Sequence, residues 1–353
     1  MILPFDHPWL GGLLGDAAAS AAWAPEVQIG HYLAMEAALA LALEEAGAVA
    51  PGLGTEARAA ILAYRPDPAR LAEATARDGL PIPQLVADLR EAAGPAKGAV
   101  HTGATSQDVL DTALALTLRE VNAGLGERLC ALEGHLATLS ERFGERPLMA
   151  RTRMQAALPT TVADRVEAWR APLRAHVERL ARLRPEVEVV QLGGPVGTRS
   201  AWGSKADRLT LSVANALGLG LPKRVWHTDR TALADYAGCL SLITGTLGKM
   251  GADVALMSQQ GIDEIVVSGG GGSSAMPHKA NPVIAEVLVT LARYNAAQVA
   301  SMHQALVHEQ ERSGAAWMLE WMVLPAMTVA TAGSVRSALK LCGQVTSIGG
   351  RTA

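Results

Sequence analysis

From residue 106 to about 143 the chain runs without a proline, is interrupted only by Gly124, Gly126 and Gly134, and returns Leu and Val at helical spacing. Such a stretch folds as one long helix that must bury an apolar stripe against neighbours. Thr105 followed by Asp108 supplies a capping-box start for it. Windows of the same kind recur: 160–184 with Pro172 as an expected kink, 232 to about 262, 281 to about 312 with Asn281 as N-cap and Pro282 as first helical residue, and 315–341 with Pro325 inside. Phe5 and Phe143 are the only phenylalanines, while Ala and Leu abound, a balance that favours helices over strands. The expected fold class is all-α, an elongated bundle of long helices. Residues 1–100 are broken by Pro and Gly, with helical pieces near 26–46, 55–64 and 67–77, and read as a small N-terminal helical cap domain. Residues 101–345 read as the central long-helix bundle domain that forms an oligomer core, and 346–353 as a tail.

The 353 residues carry 31 Lys and Arg against 34 Asp and Glu, a net charge of -3 that argues against a dedicated partner for nucleic acid or an anionic membrane. With 49% hydrophobic and only 18% charged residues, either the helices are deeply buried or subunits associate. No basic leader precedes an apolar run near Met1, and no stretch reaches about 18 uninterrupted apolar residues, so a cytoplasmic location is expected. Cys130, Cys239 and Cys342 lie far apart without metal-ligand spacing, and suggest neither a disulfide framework nor a zinc site. His7, His31, His135, His176, His303 and His308 are scattered and read as surface or core residues.

Chemistry concentrates in Ser268-Gly-Gly-Gly-Gly-Ser-Ser-Ala-Met-Pro-His-Lys-Ala-Asn-Pro282. Four glycines ease opening and closing, and two hydroxyls, an imidazole, an ammonium and an amide follow: the makings of a lid that grips an anion. A flexible Gly/Ser linker is the competing reading. A Walker phosphate loop is excluded, because it requires Gly-Lys-Ser/Thr where this chain has His278-Lys279-Ala280.

Gly272-Ser-Ser-Ala-Met-Pro-His-Lys-Ala-Asn-Pro282 resembles the signature loop of the fumarase/aspartase superfamily. His101-Thr-Gly-Ala-Thr-Ser-Gln-Asp108 resembles its first active-site region, and Gly193-Gly-Pro-Val-Gly-Thr198 its Gly-rich turn, in the expected order. The first region and Trp226-His-Thr228 are most similar to the lactonising branch, the carboxymuconate cycloisomerases. The resemblance covers roughly residues 1 to 340 and implies an all-α homotetramer with active sites shared between subunits, acting without metal or organic cofactor. Its substrate would be a small tricarboxylate or dicarboxylate, processed through a carbanion stabilised as an enediolate.

By the same resemblance Ser273 stands at the position of the family's general base, which needs backbone N–H groups and positive charge around it to lower its pKa. Lys279 and Asn281 match residues that hold a substrate carboxylate, and Lys279 also stabilises the charge that develops in the reaction. Thr105 and Ser106 fit a second carboxylate at a helix N-terminus. Gln107 and Asp108 read as orienting or capping groups, and His101 as the histidine for substrate contact or proton transfer. Thr198, Ser274 and Met276 are expected to line the same substrate site. Where many members read Gly-Arg-Thr-His-x-Gln, this chain reads Ala150-Arg-Thr-Arg-Met-Gln155. Arg153 thus replaces a histidine; it neutralises a carboxylate but does not exchange a proton near neutral pH. Gln155 and Thr152 keep their places as hydrogen-bonding groups. His227 and Arg230 are carried over with less weight, Arg230 as a substrate ligand.

The expected activity is a cycloisomerase, an intramolecular lyase that closes a lactone on 3-carboxy-cis,cis-muconate in aromatic-acid breakdown. Another lyase of the superfamily, adenylosuccinate lyase-like or acting on a different dicarboxylate, and a catalytically silent helical scaffold are the alternatives. Family members carry a third, C-terminal helical domain, which is expected to be missing here because the sequence ends at Ala353.

Overall fold

The computed structural model describes residues 4–272, 276 and 279–350. Short α1 (Gly11–Leu14) and α2 (Ala17–Ala21) lead into α3 (Pro25–Glu45), α4 (Leu53–Ala63), α5 (Pro68–Asp78) and α6 (Ile82–Ala93). The long elements come next: α7 (Ser106–Phe143), α8 (Val162–Val187), α10 (Thr231–Met257), α11 (Val283–Gln304) and α12 (Gly314–Gln344), with α9 (Ala206–Leu217) between α8 and α10. Strand content among the described residues is two antiparallel pairs. One is β1 (Pro147–Thr152) with β2 (Gln155–Thr161), and the other is β3 (Ile265–Val267) with β4 (Val345–Ile348). The all-α reading holds, and α7 occupies the window from which it was inferred.

Three local readings are corrected. Asn281 is not the N-cap of α11: it pairs with Gly271 through two backbone hydrogen bonds of 2.9 and 3.0 Å, and the helix begins after Pro282. The same helix stops at Gln304, well short of residue 312. Residues 345–348, partly assigned to the tail, pair as β4 beside β3.

Buried side chains form two main cores. The larger joins Leu125, Leu132 and Leu139 of α7 to Trp169 and Leu173 of α8, Leu240 and Leu247 of α10, Leu288 of α11 and Met327 of α12. Burying such residues contributes about 1.5–3 kcal/mol each, well above the few tenths of a kcal/mol by which helix propensities differ, and fixes which faces turn inward. The second core gathers α3, α4 and α6 around Leu39, Leu43, Ile61, Leu85 and Leu89, and is completed by Val190, Leu209 and Val213 from a later segment. Among the described residues one helix, α12, is long and apolar enough to cross a membrane by length and composition, but 72% of that window is buried within the protein, where α12 packs on α7, α10 and α11.

Direction along the bundle matters for the site. Arg312, just before α12, reaches Gln107 at the start of α7, while Gly349, just after β4, lies against Val162 at the start of α8. Thus α7 and α12 run the same way, and the bundle has a head, where both begin, and a tail, where both end. The 31 residues of α12 rise about 46 Å between the two.

Candidate active site

The head is built around the N-terminus of α7. Asp108, completely buried, accepts the Thr105 backbone N–H at 3.0 Å, one half of the expected capping box. It also accepts the N–H groups of Gly193 and Gly194 at 2.7 and 2.9 Å, and lies 2.8 Å from His227 Nε2. Because a carboxylate only accepts here, His227 donates through Nε2. One side chain thereby ties together the first region, the Gly-rich turn and the Trp226-His-Thr segment. Of the two roles read for Asp108, orienting and capping, capping is thus the smaller part of what it does. His227 is 3% exposed, and its Nδ1 has no hydrogen-bond partner among the described residues. Its ring also explains Gly193: a Cβ there would meet His227 Cε1 at 2.7 Å.

His101 sits in the loop before α7 in a left-handed conformation, φ 58°. Its Nδ1 is 2.5 Å from Oε1 of Glu36, a fully buried carboxylate on α3. Burial alone would lower the His101 pKa, but the Glu36 charge and hydrogen bond outweigh it and hold the imidazole above its ordinary value. Thr105 and Ser106 are half-buried at the helix start, where free N–H groups and the dipole favour an anion. Gln107 donates to the His227 carbonyl at 2.8 Å and accepts from Arg312 Nε at 2.9 Å; Arg312 also donates to the Pro195 carbonyl at 3.1 Å. Thr198, on the exposed side of the Gly-rich turn, donates to Ser200.

Arg230 is placed where it cannot serve as expected. It is 2% exposed and spans two carboxylates, with Asp111 at 2.8 and 3.0 Å and Glu320 at 2.8 and 2.5 Å. Every nitrogen of its fork is committed, so it cross-links α7 to α12 rather than binding substrate.

The other half of the expected site lies at the tail. Arg153 and Met154 are the two-residue turn of the β1–β2 hairpin, with positive φ at both (49° and 67°) and Thr152 opposite Gln155. Arg153 and Gln155 are exposed there. Arg151 joins the hairpin to Glu264 at 2.5 Å beside a cleft of about 460 Å³ lined also by Arg165, Lys249 and Asp253. The glycine run, Lys279 and Asn281 lie at this end, next to β3 and Gln344 at the close of α12. Lys279 and Met276 are exposed. Ser273 and Ser274 lie outside the described residues. Within one chain, therefore, His101, Thr105, Ser106 and Thr198 share the head, whereas Arg153, Gln155, Met276, Lys279 and Asn281 share the tail.

Reading the sequence missed Glu36 and gave too little weight to His227. Glu36 had a signal: it is the single charged residue in the apolar run 32–43. Among the described residues no three His, Cys, Asp or Glu side chains gather as a metal-binding group.

A bundle of this build, with histidine–carboxylate pairs at one end and a glycine-rich, donor-bearing loop at the other, defines a helical lyase of the fumarase/aspartase type. The family profile described as Lyase matches residues 34–299, and the chain belongs to this family. It is 40% identical to a 3-carboxy-cis,cis-muconate cycloisomerase of Pseudomonas aeruginosa over 88% of this chain and 69% of that one. A solved structure of the 3-carboxy-cis,cis-muconate lactonizing enzyme from Pseudomonas putida superposes with a TM-score of 0.90 at 33% identity, covering 97% of this chain and 77% of that one. An N-acetyl-S-(2-succino)cysteine lyase of Enterococcus italicus is 32% identical over 87% of this chain and 68% of its own length.

Proposed function

We propose that this chain is a cycloisomerase that closes a lactone ring on 3-carboxy-cis,cis-muconate in cytoplasmic aromatic-acid degradation. The observation that carries the reading is the head: a histidine held against a buried carboxylate, within a few residues of a helix N-terminus open to an anion. Similarity to the named cycloisomerase and lactonizing enzyme supplies the substrate.

In this reading one substrate carboxylate rests on Thr105, Ser106 and the α7 N-terminus. A second carboxylate adds through oxygen to the far end of the activated double bond. The new C–O bond takes the place of the π bond, whose electrons pass to the neighbouring carboxylate as an enediolate. Lys279, Asn281, Gln155 and Thr198 stabilise that charge, and Arg153 balances the remaining carboxylate. Ser273 or His101 delivers a proton to the carbanion and is recharged from solvent. Because nucleophile and acceptor belong to one molecule, effective molarity supplies much of the acceleration.

Head and tail lie a helix length apart, so one chain does not complete this site. We infer a homotetramer in which the head of one subunit meets the tails of others. Exposed Met318, Trp321 and Met322, at helical spacing on α12, give an apolar face for that association.

The test follows the ultraviolet absorbance of 3-carboxy-cis,cis-muconate, whose conjugated diene is destroyed on ring closure. Rapid loss that vanishes in Ser273→Ala and Lys279→Ala is the expected result. No loss from folded, tetrameric protein overturns the substrate. A second reading, a lyase for another dicarboxylate, is favoured by the likeness to the succinocysteine lyase. Release of fumarate from succinyl-thiol or succinyl-amine adducts separates the two.

A further inference from the structure

We propose that Glu36 is a positioning residue for the proposed reaction, fixing His101 in the tautomer and orientation in which Nε2 exchanges a proton with substrate. The middle of α3 runs through an apolar sequence, and the side chains of Met35, Leu39 and Leu43 are fully buried in the N-terminal core. Placing a carboxylate there is costly unless it is satisfied. Glu36 spends one oxygen on His101 at 2.5 Å, and its Oε2 finds no hydrogen-bond partner among the described residues. Helix packing alone would be served better by Leu or Met, so the residue is explained by what it does to the imidazole.

That effect comes from the donor inventory. Glu36 only accepts, so His101 carries hydrogen on Nδ1, and in the neutral ring Nε2 holds the lone pair. Nε2 makes no hydrogen bond among the described residues, and the His101 side chain keeps 12% of its surface. The ring is therefore anchored on the protein side and open on the other. Its left-handed backbone, φ 58°, also holds the residue in a defined pose. The charged groups that face it are Glu36 from α3, Asp108 from α7 and Arg90 from α6. The two carboxylates favour the protonated ring and the guanidinium, which donates to the Val100 carbonyl, opposes it. His227, the head's other histidine, is buried against Asp108, so the Glu36–His101 pair is the head's exposed route for a proton. The proposal rests on the cycloisomerase reading for its reaction, but not for its geometry.

The decisive experiment uses the intact chain labelled at histidine Cε1 and followed by NMR across pH, with the His101 signal assigned by its loss in His101→Gln. Glu36→Gln keeps the shape and an accepting oxygen but removes the charge. Expected are a lower His101 pKa and, on the muconate substrate, a kcat about 100-fold down with KM within about twofold, the pH profile moving with the titration. Glu36→Asp, which keeps the charge, should recover part of both, and carries the test if the Gln variant does not fold. A His101 titration indistinguishable from wild type in a folded Glu36→Gln variant overturns the proposal; where only Glu36→Asp folds, a kcat that falls while the His101 titration stays unmoved overturns it. So does a kcat loss with an unmoved pH profile. Wild-type protein inactive on the muconate would refute the assigned substrate alone, since the titration is read without substrate.

Discussion

At the scale of single residues, polar groups buried in the head divide into those that hold the fold and those that face a ligand. Arg230 belongs to the first kind. Burial alone would lower its pKa, but Asp111 and Glu320 keep it firmly protonated. Arg230→Met strands two buried carboxylates, and we expect about 3–5 kcal/mol of destabilisation in urea unfolding. An intact fold with KM raised instead would return Arg230 to the substrate. Two histidines give opposite pH dependences. His101, raised, stabilises the fold fully below the ordinary histidine pKa, and that contribution is lost as pH rises through its folded value. The stability gap between wild type and His101→Gln should therefore narrow from pH 5.5 to 8.5. His176 is pushed down to about 4 by burial and by Arg179, while Thr246 lies 2.8 Å from its Nε2. The unfolded chain takes up a proton that the folded one refuses, so stability falls as pH drops from the ordinary value toward 4. His176→Gln should flatten that acid-side slope in melts between pH 7 and 4.5. Glu36 was not read as functional because a lone charge on a helix looks like a solvated face until the packing of α3 is known. Arg230 was misread for the converse reason: its two carboxylates lie 119 and 90 positions away.

At the scale of elements, the legible parts were those set by local periodicity. The bounds of α7 come from its cap at Thr105 and an uninterrupted apolar stripe. The β1–β2 hairpin was invisible because its turn, Arg153-Met154, lacks the Asn-Gly or Asp-Gly chemistry that normally announces positive φ at two successive positions. Asn281 looked like an N-cap, but the antiparallel bridge to Gly271 claims its backbone first. Glycines in α10 carry packing information that spacing alone does not reveal. A Cβ on Gly251 would meet the Ala285 carbonyl oxygen at 2.5 Å, and one on Gly248 would meet Ala292 Cβ at 2.5 Å. These two positions let α10 and α11 approach backbone to backbone. Gly251→Ala, despite its better helix propensity, should cost about 1–3 kcal/mol, measured by denaturant unfolding. A more stable variant would show that the two helices separate freely.

At the scale of the whole molecule, the two-ended arrangement makes a prediction that no single-site variant tests. His101→Gln spoils the head and Lys279→Ala the tail, so each alone should be inactive. Refolded together, the two chains should regain activity, since some sites then pair an intact head with an intact tail; with random mixing this is about a quarter of them. Failure of the mixture, with mixed oligomers confirmed by mass, would place both residues in one chain's site. The sequence order of the motifs said nothing of this separation, because the distance between them is a property of helix lengths and directions.

The length of α12 then acts as a ruler. Adding one residue to a long helix changes its rise by about 1.5 Å and turns the rest of the chain beyond it by about 100°. In a protein whose catalytic groups sit on one element, such a change is felt where it occurs. Here α12 packs on α7, α10 and α11 along its length, so the change would turn buried side chains out of the core, and in the proposed tetramer it would also offset the head of one subunit from the tail of the next. In the proposed tetramer the lengths of these helices therefore set the spacing between sites as well as the packing within one chain.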